Sequence, residues 1–137
     1  MQTGSIQRAT GPIFRDLVTE NTGEYGIFPI LSTNIRVERS VTSGVNDTGI
    51  YVGQSRDIVV RDNEAFGNVS GIEIENSVNA LVENNYAHDN TAGILVFILP
   101  GKTATEASNA RIVNNRINNN NQKIAINFSN RNKKQNT

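Results

Sequence analysis

The chain has no cysteine, one histidine and one methionine among 137 residues. A soft-metal centre would therefore need ligands from outside the chain. The missing cysteine suits oxidising and reducing compartments alike and selects neither. Thirteen Lys and Arg balance thirteen Asp and Glu to a net charge of +0, and the only close basic group is Arg131, Lys133 and Lys134. That dispersal lacks the electrostatic footprint of a nucleic-acid partner. No apolar run is long enough to span a membrane, and the first residues lack the charged-then-apolar form of a secretory leader. No window carries a helical stripe.

What is present is a repeated phrase. Gly26-Ile27-Phe28-Pro29, Gly49-Ile50-Tyr51-Val52, Gly71-Ile72-Glu73-Ile74 and Gly93-Ile94-Leu95-Val96 follow one another at 23, 22 and 22 residues. Self-similarity at such a period predicts a stacked solenoid. A second apolar stretch starts nine residues after the first three glycines, at Ile35, Ile58 and Ala80, and recurs at Ala110. Both stretches are short, rich in β-branched residues and bounded by Asn, Ser, Asp and Gly, which favours strands. In Gly71-Ile72-Glu73-Ile74-Glu75 strict alternation turns Ile72 and Ile74 to one side and Glu73 and Glu75 to the other.

Two or three strands per 22-residue coil, each stacked on its equivalent, make a single-stranded parallel β-helix of five to six coils. Equivalent side chains then form ladders about 4.8 Å apart. Asn63, Asn85 and Asn115, preceded by Ser40, share one register, and Asn68, Asn90 and Asn120 share another. Stacked amides can pass hydrogen bonds from rung to rung at turns that would otherwise bury unpaired groups. Gly4-Ser5-Ile6, 22 residues before Gly26, predicts an earlier coil, and Ile124-Ala125-Ile126 a later one. The interval from Asn85 to Asn115 is 30 residues rather than 22, so an insertion within 98–108 should protrude between the two strands of its coil. The organisation expected is one domain over 1–126, clearest over 24–121, with a polar disordered tail at 127–137. Neither end shows a cap, so end-to-end self-association is a further expectation.

Outward positions on the first strand are where a ligand would lie. Phe28, Tyr51, Glu73 and Leu95 form one column, and Ile30, Gly53, Glu75 and Phe97 the next. Aromatic faces cover apolar sugar patches while carboxylates accept hydroxyl hydrogen bonds, so Phe28, Tyr51, Glu73, Glu75 and Phe97 are candidates for contacting polysaccharide. Glu73 and Glu75 could bridge a calcium ion, although no Asp cluster completes the six to eight oxygens it takes. His88, in the turn after Asn85 and beside Asp89, is the lone candidate for imidazole acid–base work. Arg36 and Arg111 share an outward column on the second strand, with Arg56 and Arg61 close by on the intervening coil; pairing with Glu38, Asp57, Asp62 and Glu83 is the simpler account of these arginines.

Residues 25–29, 47–55, 69–77 and 90–97, with Leu99-Pro100-Gly101, resemble the bacterial parallel beta-helix domain-containing proteins of the right-handed, pectin-lyase-like superfamily. The resemblance implies a larger, exported protein, extracellular or periplasmic, of which this chain is a fragment or truncated member. It also implies kinship in fold with polysaccharide lyases and mannuronan epimerases. Ile98 stands where the family pattern has an Asp, and the resemblance fades after Asn121. The Asp-Pro-His-Glu word of the epimerases and the signature words of the polygalacturonases and pectate lyases are missing, so no catalytic residue carries over. The leading expectation is a non-catalytic scaffold that contacts carbohydrate. The alternatives are a lyase or epimerase using the outward carboxylates, and a structural stacking module.

Overall fold

The structure, a computed structural model, describes residues 4–122. Its strands come in threes. The first coil holds β1 (Gly4–Gln7), β2 (Ile13–Arg15) and β3 (Val18–Glu20), and the second β4 (Tyr25–Ile30), β5 (Thr33–Glu38) and β6 (Val41–Ser43). The third holds β7 (Thr48–Gly53), β8 (Arg56–Arg61) and β9 (Glu64–Phe66), and the fourth β10 (Ser70–Glu75), β11 (Val78–Glu83) and β12 (Tyr86–His88). β13 (Ala92–Phe97), β14 (Ser108–Val113) and β15 (Arg116–Asn118) make the fifth. Like strands pair in parallel, giving three sheets of five strands each. The chain thus makes four full turns from β1 to β13, with the fifth coil following. The expected sixth coil at Ile124–Ile126 and the tail at 127–137 lie outside the described residues.

Alternation along each strand builds the core as columns. On the first sheet Ile27, Ile50, Ile72 and Ile94 are in register. On the second, Ile35, Ile58, Ala80 and Ala110 stack beside Val37, Val60, Val82 and Ile112. Ile27, Ile50, Ile72, Val37, Val60 and Val82 are all fully buried, and each such side chain stabilises by about 1.5–3 kcal/mol. The third sheet contributes a narrower inner column of Thr19, Thr42, Ala65, Ala87 and Ile117. Its strands are three residues long and carry one inward side chain each, too little alternation for the sequence pattern to reveal them.

Three corners turn each coil, and each is built the same way. The residue entering the corner adopts a left-handed backbone: Leu31, Gln54 and Asn76 at the first corner, Arg39, Asp62, Asn84 and Asn114 at the second, Gly44, Gly67, Asp89 and Asn119 at the third. Asn, Asp and Gly tolerate that region best, which accounts for much of the chain's Asn content. The next residue forms the ladder. Asn63 N and Nδ2 both donate to Asn85 Oδ1 at 3.0 Å, and Asn85 N and Nδ2 to Asn115 Oδ1 at 2.9 and 3.0 Å. Asn68, Asn90 and Asn120 repeat the pattern through backbone N–H donors. The first corner has a serine ladder that the sequence reading did not anticipate: Ser32 N donates to Ser55 Oγ at 3.2 Å, and Ser55 N to Ser77 Oγ at 3.1 Å.

The glycine of each Gly-Ile phrase is there for space. A Cβ on Gly26 would lie 2.6 Å from the Gly49 carbonyl oxygen, and one on Gly71 would lie 2.6 Å from that of Gly93. Successive coils touch backbone to backbone at this point, and no larger residue fits.

The first coil departs from the expected offset by one residue. Gly4 pairs with Ile27, Ser5 with Phe28 and Ile6 with Pro29, a step of 23 rather than the 22 that would align Gly4 with Gly26. A shift of one residue exchanges the faces of a strand, so Ser5 and Gln7 point outward and Ile6 inward.

Candidate functional site

The outward face of the first sheet carries a cluster of three rings. Tyr25 and Phe28, three residues apart on β4, have ring centroids 4.4 Å apart, and Phe28 stacks on Tyr51 of β7 at 4.7 Å and 17°. Tyr25 also reaches Tyr51, at 5.4 Å. Tyr51 lies almost flat along the sheet and is only 6% exposed. It can do so because Gly53, two positions on, has no side chain; a Cβ there would collide with the hydroxyl end of the Tyr51 ring. The Tyr51 hydroxyl donates to Glu75 Oε2. Burial, followed by that bond to Glu75, raises the phenol's pKa.

Beyond the rings the sheet turns acidic. Glu73, half-buried next to Tyr51 in register, has its carboxyl pushed above the usual range by burial; hydrogen bonds from Ser70 and Thr48 oppose the shift, and the charges of Asp47 and Glu75 add to it. Glu75 is buried. Lys102 Nζ stands 3.6 Å from its Oε1, an oxygen with no hydrogen-bond donor among the described residues. Lys102 comes from the insertion, which folds back onto the first corner. Asn76 Nδ2 donates to the carbonyls of Leu99 and Ala104 at 2.9 and 2.8 Å, and Leu99 N donates back to Asn76 Oδ1. Ala104 N donates to Gln54 Oε1 at 3.1 Å. The segment expected to protrude is strapped across the corner, covering Glu75 and leaving Glu73 as the accessible carboxylate. Phe97 is half-buried beside Glu75 in register.

At the other end of the face Ser5, Gln7, Phe28 and Ile30 line a groove of about 310 Å³. The register of the first coil brings Ser5 and Gln7 here, and the one-residue difference from the expected offset is why the sequence reading passed over them. Tyr25 was legible in principle, since it precedes Gly26 as Thr48 precedes Gly49. Lys102 was not, because the insertion has no period.

The other candidates lie on different faces. Arg56 opens β8 on the second sheet, in register with Thr33 and Val78. On that sheet Glu38 takes Arg15 and Arg36, each at 3.1 Å, and Arg61 pairs with Glu83 at 3.0 Å, so Arg36 and Arg61 are paired as expected, while Arg56 forms no ion pair among the described residues. Arg111 is exposed and forms no ion pair among the described residues; it borders a shallow groove of about 270 Å³ whose floor includes Val59 and Leu81. His88 is not in a turn but ends β12 on the third sheet. Its partners there are Glu64 and Asp89, so the structure does not bring it to Glu73. Among the described residues no three His, Asp or Glu side chains are grouped so as to hold a metal ion. No helix among them is long and apolar enough to cross a membrane.

The family model described as the right-handed beta helix region matches residues 5–137. Neither curated proteins nor solved structures provide a significant match.

Proposed function

Because the chain belongs to the right-handed beta helix family, a repeat scaffold by construction, we propose that the outward face of its first sheet contacts carbohydrate. The observation that carries this reading is the Tyr25–Phe28–Tyr51 cluster, set between the groove edged by Ser5 and Gln7 and the accessible carboxylate of Glu73. Stacked rings offer an apolar platform for a sugar face. Ser5 and Gln7 can donate to and accept from hydroxyls, and Glu73, when ionised, accepts them. The groove volume is at the lower edge of the range of about 300–1,000 Å³ for ligand pockets, so the face suits a polysaccharide lying across the coils one sugar at a time. The setting proposed for this scaffold is the outside of a bacterial cell or its periplasm, with polysaccharide as partner.

Affinity electrophoresis through gels holding pectate, alginate or neutral glucans tests the proposal. Phe28→Ala should abolish retardation by the glycan that slows the parent protein, while Arg56→Ala, on another sheet, should leave it unchanged. Equal retardation of parent and Phe28→Ala in every gel, or no retardation of the parent in any, refutes it.

A further inference from the structure

The third sheet bears a linked group that the carbohydrate reading does not use. His88 Nε2 lies 2.6 Å from Glu64 Oε2, and Nδ1 lies 2.6 Å from Asp89 Oδ2. Glu64 belongs to the third coil and His88 and Asp89 to the fourth. Asn119, from the fifth, donates through Nδ2 to Asp89 Oδ1. The imidazole is held flat by Phe66, stacked at 5.1 Å and 8°, and by Tyr86 at 4.0 Å and 23°. Arg116 of β15 lies over the Tyr86 ring at 4.6 Å. The charged or titratable groups around the imidazole are thus Glu64 from β9, Tyr86 from its own strand, Asp89 from the corner and Arg116 from β15.

Both ring nitrogens face carboxylate oxygens at hydrogen-bond distance. A neutral imidazole has a single N–H and can donate to one of them only. The other contact would then set a ring lone pair against a carboxylate oxygen. The geometry therefore calls for the imidazolium, in which both nitrogens donate. We propose that His88 is a pH-operated clamp that ties the third and fourth coils together at the third sheet when it is protonated and loosens that seam when it is not.

The electrostatics agree with the geometry. Burial pulls the imidazole pKa down, but the hydrogen bonds and charges of Glu64 and Asp89 outweigh it, and the net shift is upward from 6.5. A group whose pKa is raised by folding contributes its full stability below the unfolded value and loses it as pH climbs through the folded one. The clamp is closed below the ordinary imidazole value and opens only as pH climbs past it. The release is local because the strands it joins are the shortest in the fold, three residues each, and short strands hold few ladder bonds.

Hydrogen exchange read by NMR, corrected for the intrinsic pH dependence of exchange, tests this on the whole chain. Raising pH from 5.5 to 8.5 should lower protection of the Tyr86 and His88 amides, which face β9 across the clamped seam, by tenfold or more while Val37 and Val60 change little. The His88 ring resonances should titrate above 6.5. His88→Phe keeps a flat ring against Phe66 and Tyr86 and should abolish the pH step. Asp89→Asn keeps a residue suited to the left-handed corner and should lower the midpoint. A ring titration at or below 6.5, or a pH step that persists in His88→Phe, overturns the proposal.

Discussion

Replacing Asn85 by alanine tests whether the amide ladder stabilises the solenoid or merely decorates it. Asn85 is 2% exposed. Its Oδ1 accepts from both the backbone and side chain of Asn63, and its Nδ2 donates to Val60 O and Asn115 Oδ1, each at 3.0 Å. Alanine leaves the Asn63 N–H, itself buried, without that acceptor and the Val60 carbonyl without that donor. A buried polar group stripped of its partner costs about 1–3 kcal/mol, so the pair predicts a loss of about 4 kcal/mol. Domains of this kind have about 5–15 kcal/mol in total. With a urea slope of about 2 kcal/mol per M the unfolding midpoint should fall by about 2 M. Asn85→Ser should lose roughly half as much, because Ser40 already serves in this register, its Oγ accepting from Leu17 N at 3.1 Å. Asn118→Ala, exposed on β15, should stay within about 0.5 kcal/mol of the parent. If Asn85→Ala unfolds no earlier than Asn118→Ala, the ladder has no energetic role and the reasoning fails.

Thr42 is fully buried, and its hydroxyl has no partner among the described residues; Thr42→Val should stabilise by about 1 kcal/mol, and a loss in urea unfolding would show that the hydroxyl is satisfied after all. Gly53→Ala should displace the Tyr51 ring from Glu75, lowering stability by about 1–3 kcal/mol and changing the near-ultraviolet dichroism of the tyrosines; an unchanged spectrum counts against the packing argument. Glu73 has a raised carboxyl pKa, so its ionisation opposes folding at neutral pH. Glu73→Gln should therefore raise the melting temperature at pH 7, with the gain vanishing as pH falls below the ordinary carboxylate range; an equal gain at pH 3 would contradict the assigned shift.

The first two sheets were readable because their strands are six residues long in the regular coils and alternate visibly around Ile27, Ile50 and Ile72. The Asn columns were readable because amides recur at the period. The third sheet escaped, since a single inward residue such as Ala65 or Ala87 makes no pattern, and with it went the true setting of His88. Of the first-sheet face, the ring column was legible at Phe28 and Tyr51, where register is fixed by the Gly-Ile phrase. Ser5 and Gln7 were missed through a slip of one residue, and the cover over Glu75 because contacts made by Lys102 and Asn76 arise from an aperiodic segment folding back.

The strapped insertion bears on how such a chain finds its structure. Successive coils pair residues 22 or 23 apart, and across the insertion 30 apart. Closing the longer loop costs only about 0.3 kcal/mol more in chain entropy, since the penalty grows with the logarithm of length. The kinetic barrier thus lies in forming the first pair of coils, and each later coil adds onto a finished template at nearly constant cost. Segments added at a corner should then leave the rate of folding almost untouched, which makes these corners the natural place for a solenoid to acquire new surface.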